Sequence, residues 1–225
     1  RDLMLFWSSK EDKLTSLQEY VDRMPESQEK IYYVCADSVE HAAKMPQAER
    51  VLKAGYEVLY LTVDEDEIVL QMLENAGGKP FVSVADENAL PVTEEEKANV
   101  EQAEKDHKDV LDFAQETLKD QVAKVRLSKI LQSGSVCLTA EGPVSLEMEK
   151  YFRKMRRDFP MHAQRVLEIN PDSSAFQALC NAFQAGDKEK AAAYVETLYN
   201  QALIIADFPL PDPARYAELV CGLMQ

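Results

Sequence analysis

The stretch KIYYVCA, at residues 30–36, decides the first part of the fold. It is short and almost continuously apolar, which is typical of a β-strand that is covered on both faces. Two similar runs follow, YEVLYLT at residues 56–62 and PFVSVAD at residues 80–86, and helical segments lie between them. Strands that alternate with helices predict a βαβ arrangement with a parallel sheet. We therefore expect residues 1–90 to form a small α/β domain around a parallel three-stranded βαβ layer.

Helix starts are marked by capping boxes, in which a first residue bonds the backbone three positions on and a Glu bonds back. The pattern occurs at Ser16/Glu19, Asp37/Glu40, Asp64/Glu67 and Thr93/Glu96. The last pair opens residues 94–119, which are rich in Glu, Lys, Asp and Ala and contain neither Gly nor Pro. This composition predicts one long, exposed helix that connects two domains.

The remainder of the chain, residues 91–225, is predicted to form a second domain of the α+β class. Strand-like runs occupy residues 122–128, 136–141 and 165–170, and helical patterns occupy residues 174–185, 188–206 and 213–224. Asp187 and Asp212 fit helix N-caps, and Pro213 fits a first helical position. The short connection between the last two helices predicts that they pack as an antiparallel C-terminal helical hairpin.

Composition limits the function. The chain has 225 residues and a net charge of -15, which disfavours nucleic acid as a partner because phosphate contacts need clustered Lys and Arg. No apolar run is long enough to span a bilayer, so we expect no membrane partner. The four cysteines are scattered among apolar neighbours, a pattern that favours buried thiols in a reducing compartment such as the cytoplasm over disulfides.

Motifs for catalysis and cofactors are missing. The turn after the first strand of the βαβ unit reads ADSVE, without the glycine that a phosphate cradle needs. His41, His107 and His162 lack metal-site spacing, and no nucleophile motif occurs. We expect no catalytic residue, metal or cofactor in this chain, although a nucleotide-binding α/β module stays an alternative.

Residues 144–160, VSLEMEKYFRKMRRDFP, carry an apolar stripe at helical spacing. Its members are Val144, Met148, Tyr151, Phe152, Met155 and Phe159. The other faces carry Lys150, Arg153, Lys154, Arg156 and Arg157. Such stripes are usually core, but Met-rich faces also serve proteins that bind many different partners. Periodicity leaves both interpretations open.

The last two helices present a second apolar surface. Its members at helical spacing are Tyr194, Leu198, Ala202, Ile205, Tyr216, Leu219, Val220 and Leu223. One small sheet cannot cover this much apolar surface, and a symmetric dimer through a four-helix arrangement would bury it. An intramolecular core alone accounts for the pattern equally well.

Five segments of the chain resemble the heat shock protein 90 family, in its bacterial form. They occur in the family's order and read EKIYYVCADS, GYEVLYLTVDEDE, VAKVRLSKIL, LEINPDS and LYNQALIIADFPLPDPARYAELV. The resemblance implies an ATP-dependent molecular chaperone, of which residues 1–90 are the end of the middle domain and residues 91–225 the C-terminal homodimerisation domain. ATP and magnesium would bind in domains that precede this chain, so the fragment alone should not hydrolyse ATP.

The resemblance also implies surfaces for unfolded or partly folded client proteins. One is the amphipathic helix whose apolar positions are Val144, Met148, Tyr151 and Phe152. The other maps to Glu67, Ile68 and Gln71, where Ile68 replaces an aromatic residue common in relatives. A passive dimerisation module without client contacts is the remaining alternative.

Overall fold

The computed structural model describes residues 4–11, 13–63, 65–86, 88–155 and 162–224. In chain order the strands are β1 Leu5–Ser8, β2 Leu14–Ser16, β3 Ile31–Cys35, β4 Val58–Leu61, β5 Asn75–Ala76, β6 Lys79–Ser83, β7 Lys124–Leu127, β8 Val136–Glu141 and β9 Gln164–Ile169. The α-helices are α1 Leu17–Asp22, α2 Val39–Ala42, α3 Glu49–Lys53, α4 Asp66–Leu73, α5 Glu94–Asp106, α6 Lys108–Thr117, α7 Leu146–Met155, α8 Ser174–Gln184, α9 Lys188–Ile205 and α10 Pro213–Leu223.

These elements form two compact units. The first contains the described residues up to Pro91 together with residues 147–155, and the second contains residues 92–146 and 162–224. The sequence division at residues 90/91 places α7 in the second domain, whereas the structure packs α7 from Glu147 onward with the first unit. Among the described helices, none combines the length and the apolar character that a membrane span requires.

The first unit is built on a six-stranded mixed sheet in the order β2-β1-β4-β3-β6-β5. Strand β3 pairs in parallel with β4 and with β6, and Tyr33 lies opposite Leu59 and Ser83 in the two registers. The α/β class is confirmed, and the sheet is wider than the three strands expected. Strand β1 is the apolar run at the start of the chain. It pairs antiparallel with β4, and Trp7 lies opposite Tyr60.

A buried polar cluster fixes α1 on the sheet of the first unit. The Tyr20 hydroxyl donates to the Glu57 carbonyl oxygen at 2.6 Å and accepts from the Gln28 amide at 3.0 Å. Arg23 donates to the Glu57 carboxylate at 2.8 and 2.5 Å. Tyr20 is fully buried, and its satisfied hydroxyl adds directional bonds to the apolar core around it.

The second unit has a three-stranded sheet in the order β7-β9-β8, with β9 parallel to β7 and antiparallel to β8. One face packs on the core formed with helices α6, α8 and α9. The other face carries Glu168, which is 2% exposed and accepts hydrogen bonds from Arg126 at 2.6 Å, Ser128 at 2.7 Å and Thr139 at 3.1 Å.

The charged connector is two helices rather than one. Helix α5 ends at Asp106 and α6 begins at Lys108, because His107 has φ −111° and ψ 19°. The His107 ring lies 3.6 Å from the Cys180 sulfur and packs edge-on against Phe176. These contacts with α8 give the break a tertiary cause that the Gly- and Pro-free sequence does not show.

The predicted caps have mixed outcomes. Complete capping boxes at Ser16 and Thr93 and N-caps at Asp187 and Asp212 are confirmed. The box proposed at Asp37 is wrong, since the hydroxyl of Ser38 caps α2 by accepting from His41 N at 3.2 Å. The box proposed at Asp64 lies outside the described residues.

Candidate functional site

Helix α4 carries the predicted residues Glu67, Ile68 and Gln71 in three different environments. Glu67 is only 6% exposed, and its carboxylate accepts a hydrogen bond from the Tyr33 hydroxyl at 3.2 Å. Ile68 is half-buried and Gln71 is exposed. Glu67 therefore fixes α4 to the sheet, and only the other two side chains face outward.

Met72 is the most exposed apolar residue on α4, with 80% of its surface accessible. It lies four residues after Ile68, so the two side chains share one face of the helix. The sequence reasoning missed Met72, although this spacing was the signal that could have found it. Ile68, Gln71 and Met72 form the α4 patch.

Helix α7 presents Met148, Tyr151 and Phe152 half-buried and Met155 67% exposed. The Tyr151 and Phe152 rings lie 5.7 Å apart, edge to face. Val144 departs from the expected surface stripe, because it precedes the helix and is only 8% exposed. Phe159, Arg156 and Arg157 lie outside the described residues. We call Met148, Tyr151, Phe152 and Met155 the α7 stripe.

Polar residues occupy the covered side of α7. The only fully buried residue of the helix is charged Glu149, 1% exposed, and Arg153 lies 3.9 Å from its carboxylate. Glu147 and Lys150 form an ion pair at 2.6 Å, with side chains that are 20% and 12% exposed. The charges lie on the inner side of this helix, and part of the apolar stripe lies on its outer side.

Cys35 lies at the end of β3 among the charges of α4 and α7. Burial raises the pKa of its thiol well above the usual value, and Glu147 and Glu67 raise the pKa further. Lys150 opposes this increase in pKa, and Asp66 adds to it. Burial also raises the pKa of Tyr33, assisted by Glu67. Carboxylates of both α4 and α7 thus raise the pKa of the Cys35 thiol.

Helix α9 contributes most of its apolar residues to the core of its own unit. Leu198 is 2% exposed and Ala202 is fully buried, and both belong to the cluster that packs on the sheet. Their place at a dimer interface stays a prediction, and in the protomer both side chains are part of the core. Tyr194 and Ile205 are half-buried, and Ile204 is 46% exposed.

Helix α10 is the least covered apolar helix of the second unit. Leu219 is its one buried residue, at 5% exposure, whereas Tyr216, Val220 and Leu223 are half-buried. Met224, directly after the helix, is 79% exposed. Arg215 pairs with Glu196 of α9 at 3.3 Å, which helps to align the two helices. We call Tyr216, Val220, Leu223 and Met224 the α10 face.

Three of the described cysteines have thiols with a raised pKa. All four are free thiols. Burial raises the pKa of Cys35, Cys137 and Cys180, which keeps these thiols protonated and unreactive at neutral pH. The expectation of buried thiols is confirmed at Cys137 and Cys180, whereas Cys35 is half-buried and Cys221 is exposed on α10.

Comparisons with known proteins agree on one family. The model of the family described as Hsp90 protein matches residues 1–225. The chaperone protein HtpG of Bacillus subtilis (strain 168) is 45% identical over 224 residues, and that of Oceanobacillus iheyensis is 44% identical over 224 residues. HtpG of Clostridium botulinum (strain Langeland) is 42% identical over 226 residues. Each alignment covers 100% of this chain, which spans 36% of the length of these relatives.

Proposed function

Because this chain belongs to the Hsp90 protein family, we propose that it is the part of a cytoplasmic molecular chaperone that joins two copies and contacts non-native client proteins. ATP and magnesium would act through parts of the longer protein that precede these residues. The chain itself would then be a non-enzymatic binding and dimerisation module.

The uncovered α10 face is the observation that carries the dimerisation proposal. Tyr216, Val220 and Leu223 are half-buried on the protomer, and Met224 is largely exposed. Apolar side chains that stay partly accessible together on one helix are candidates for an interaction site. A two-fold arrangement of α9 and α10 from each copy would bury it in a four-helix contact.

The α4 patch and the α7 stripe support the client-binding part of the proposal. Met72 and Met155 are the most exposed apolar residues on their helices, at 80% and 67%. Methionine side chains are flexible and polarisable, so they adapt to surfaces of different shape. Sites that accept many unrelated unfolded segments need this adaptability more than a fixed fit.

The alternative of a nucleotide-binding module has little support from the local geometry. The turn after β3 contains no glycine, and Ser38 already caps the amide of His41 at the start of α2. Helix α2 is only four residues long. A phosphate group would have to displace this cap, which glycine-rich phosphate loops do not require.

Dimerisation can be tested with Val220→Glu. A carboxylate in the centre of the α10 face would be desolvated in the dimer, so we expect the mass to fall from that of two chains to that of one. Analytical ultracentrifugation gives the mass. Lys190→Glu changes an exposed residue of α9 and serves as the control. A Val220→Glu protein that stays dimeric would contradict this part of the proposal.

Client contact can be tested with Met72→Ser combined with Phe152→Ser. We expect weaker suppression of the aggregation of a chemically unfolded protein, measured by light scattering. Leu14→Ser is the matched control, because Leu14 is 44% exposed in the same unit but belongs to neither surface. Unchanged suppression by the double variant would leave a passive dimerisation module as the better description.

A further inference from the structure

We propose that Arg165 of β9 and Phe208, which lies in the connection between α9 and α10, are positioning residues of the α10 face. Their side chains would fix where α10 begins and thereby set how tightly two copies of the chain associate. We call the contact between these two side chains the latch. The inference rests on the proposed function, because it names residues that control the proposed dimer.

The connection between α9 and α10 is short and is held at several points. Phe208 is 5% exposed, and Leu210 packs partly buried against the same apolar core. Pro209 and Pro211 alternate with them, and the ring of a proline fixes its φ angle. Asp212 then caps the first turn of α10 with its side chain. The start of α10 therefore follows the position of Phe208 through a connection with little conformational freedom.

Backbone bonds at the end of α9 direct Phe208 into the core. The Phe208 amide donates to the Leu203 carbonyl at 2.9 Å, and the Asp207 amide donates to the Ile204 carbonyl at 3.2 Å. Asp207 has φ 57°, the left-handed conformation in which helices with these two bonds end. Phe208 and Leu203 belong to one apolar cluster, which is the apolar contact that accompanies such an end.

Arg165 contacts the ring of Phe208 from the sheet. The guanidinium carbon lies 4.3 Å from the centre of the ring, within the range of a cation–π contact. Arg165 lies two residues before the core residue Leu167 in β9, so both side chains are on the same face of the sheet. Arg165 is half-buried, and a cation–π contact is stronger where less water competes with it.

Tyr199 of α9 gives Arg165 a second fixed partner. The guanidinium donates to the Tyr199 hydroxyl at 3.3 Å. Tyr199 is 3% exposed, and its hydroxyl donates in turn to the Gln121 carbonyl at 3.4 Å. The backbone of Arg165 is held as well, since its carbonyl accepts from the Ala123 amide at 2.8 Å. These contacts keep the guanidinium in the orientation that the latch needs.

Helix α10 depends on its start because little of the helix itself is buried. Leu219 is its one buried residue, and burial of an apolar side is what normally holds a helix in place. A surface that is already held in its bound position loses less freedom when a partner binds. The latch should therefore raise the affinity of the dimer.

The test compares variants of the whole chain. Phe208→Leu keeps an apolar side chain but removes the ring, and Arg165→Met removes the charge. Each should speed hydrogen exchange of the α10 amides about fivefold and raise the dissociation constant of the dimer by a similar factor, as expected for one partly buried cation–π contact. Mass spectrometry measures the exchange, and sedimentation over a range of concentrations measures the dissociation constant.

Phe176→Leu is the matched control. Phe176 is also a buried ring of this core, 2% exposed, but it lies on α8. The substitution should speed exchange of the β9 amides and leave that of the α10 amides within about twofold, because local opening of α10 does not need the whole core to open.

The double variant shows whether the two side chains act together. Arg165→Met should have a smaller effect in Phe208→Leu than in the unmodified chain, because both substitutions remove one shared contact. Equal effects in the two backgrounds would overturn the latch, and so would unchanged exchange in both single variants. If Phe208→Leu does not fold, Arg165→Lys decides. Slower α10 exchange in Arg165→Lys than in Arg165→Met supports the latch, and equal exchange overturns it.

The dissociation constants separate this inference from the proposed function. An unmodified chain that stays monomeric at every concentration contradicts the proposed function and, with it, the role of the latch in affinity. A dimer with the same dissociation constant in all variants leaves the proposed function standing and overturns the inference.

Discussion

Helices α7 and α9 have similar apolar spacing in the sequence, but the structure buries the apolar side chains of α9 far more than those of α7. Helix α9 buries Ala191, Val195, Leu198 and Ala202 in the core of its unit. Helix α7 buries only the charged Glu149 and keeps its apolar side chains half-buried or exposed. The comparison teaches that an apolar stripe shows which side of a helix avoids water, but not which neighbour, if any, covers it.

The largest expected effect is that of Leu198→Ala on α9. Removing a fully packed leucine side chain leaves a cavity and should lower the free energy of unfolding of the second unit by about 4 kcal/mol. Hydrogen exchange of the β8 and β9 amides, measured in increasing urea, gives this value. A loss below about 1 kcal/mol would mean that Leu198 is a surface residue, as the interface prediction assumed.

Glu168→Gln tests the buried charge on the sheet of the second unit. Glu168 accepts from Arg126, Ser128 and Thr139, so its neutralisation leaves the guanidinium less well paired. We expect a loss of about 2–3 kcal/mol in the same exchange measurement, since Glu141 at 3.4 Å from Arg126 compensates in part. A loss below about 0.5 kcal/mol would contradict the role of Glu168 as the centre of this buried network.

Helix α1 of the first unit resembles α9 in that a buried side chain, Tyr20, packs it into an apolar core. Burial raises the pKa of Tyr20 to about 12 from its ordinary value of 10.0. The stabilisation is therefore complete below pH 10 and is lost as the pH rises through 12. The complete loss is about 3 kcal/mol by proton linkage, of which about 2 kcal/mol has occurred at pH 12.

Urea unfolding at pH 9 and at pH 12 measures this loss of stability. Tyr20→Phe should be less stable at pH 9 and should lack this part of the pH dependence, whereas Tyr33→Phe should retain it. A Tyr20→Phe protein whose stability still falls by the full amount would show that Tyr20 is not the titrating anchor.

The smallest expected effect is that of Phe152→Ser on α7. The side chain is half-buried and lies outside the apolar clusters of the described residues, so the free energy of unfolding should change by less than about 1 kcal/mol. Urea unfolding followed by circular dichroism checks this. A loss comparable to that of Leu198→Ala would return the α7 stripe to the core and remove its candidate role as a surface.

Much of the fold could be predicted because periodicity and capping act locally. The runs that became β3, β4 and β6 and the caps at Ser16, Thr93, Asp187 and Asp212 depend on residues within a few positions of one another. The joining of β1 to β4 could not be predicted, because it depends on a pairing between Trp7 and Tyr60 that are distant in sequence. The break at His107 was missed for the same reason, since its cause is a contact with Cys180 and Phe176.

The candidate sites divide in the same way. Met148 and Phe152 could be placed on an amphipathic helix from spacing alone, whereas Ile68 and Gln71 were singled out only by the family resemblance. The burial of individual side chains could not be predicted in this way. Glu67 and Val144 are buried in the structure, whereas Met72 is exposed. Burial depends on which neighbours the tertiary structure brings, and no local pattern contains that information.

The sequence by itself determined the α/β character, the positions of most elements and the acidic charge of the chain, because these follow from composition and from interactions between near neighbours. Only the tertiary structure decided that α9 is core, that α10 is uncovered and that α7 lies on the first unit with its charges inward. The physical reason is that the free energy of an apolar stripe depends on the surface that covers it, and that surface comes from residues far away in the chain.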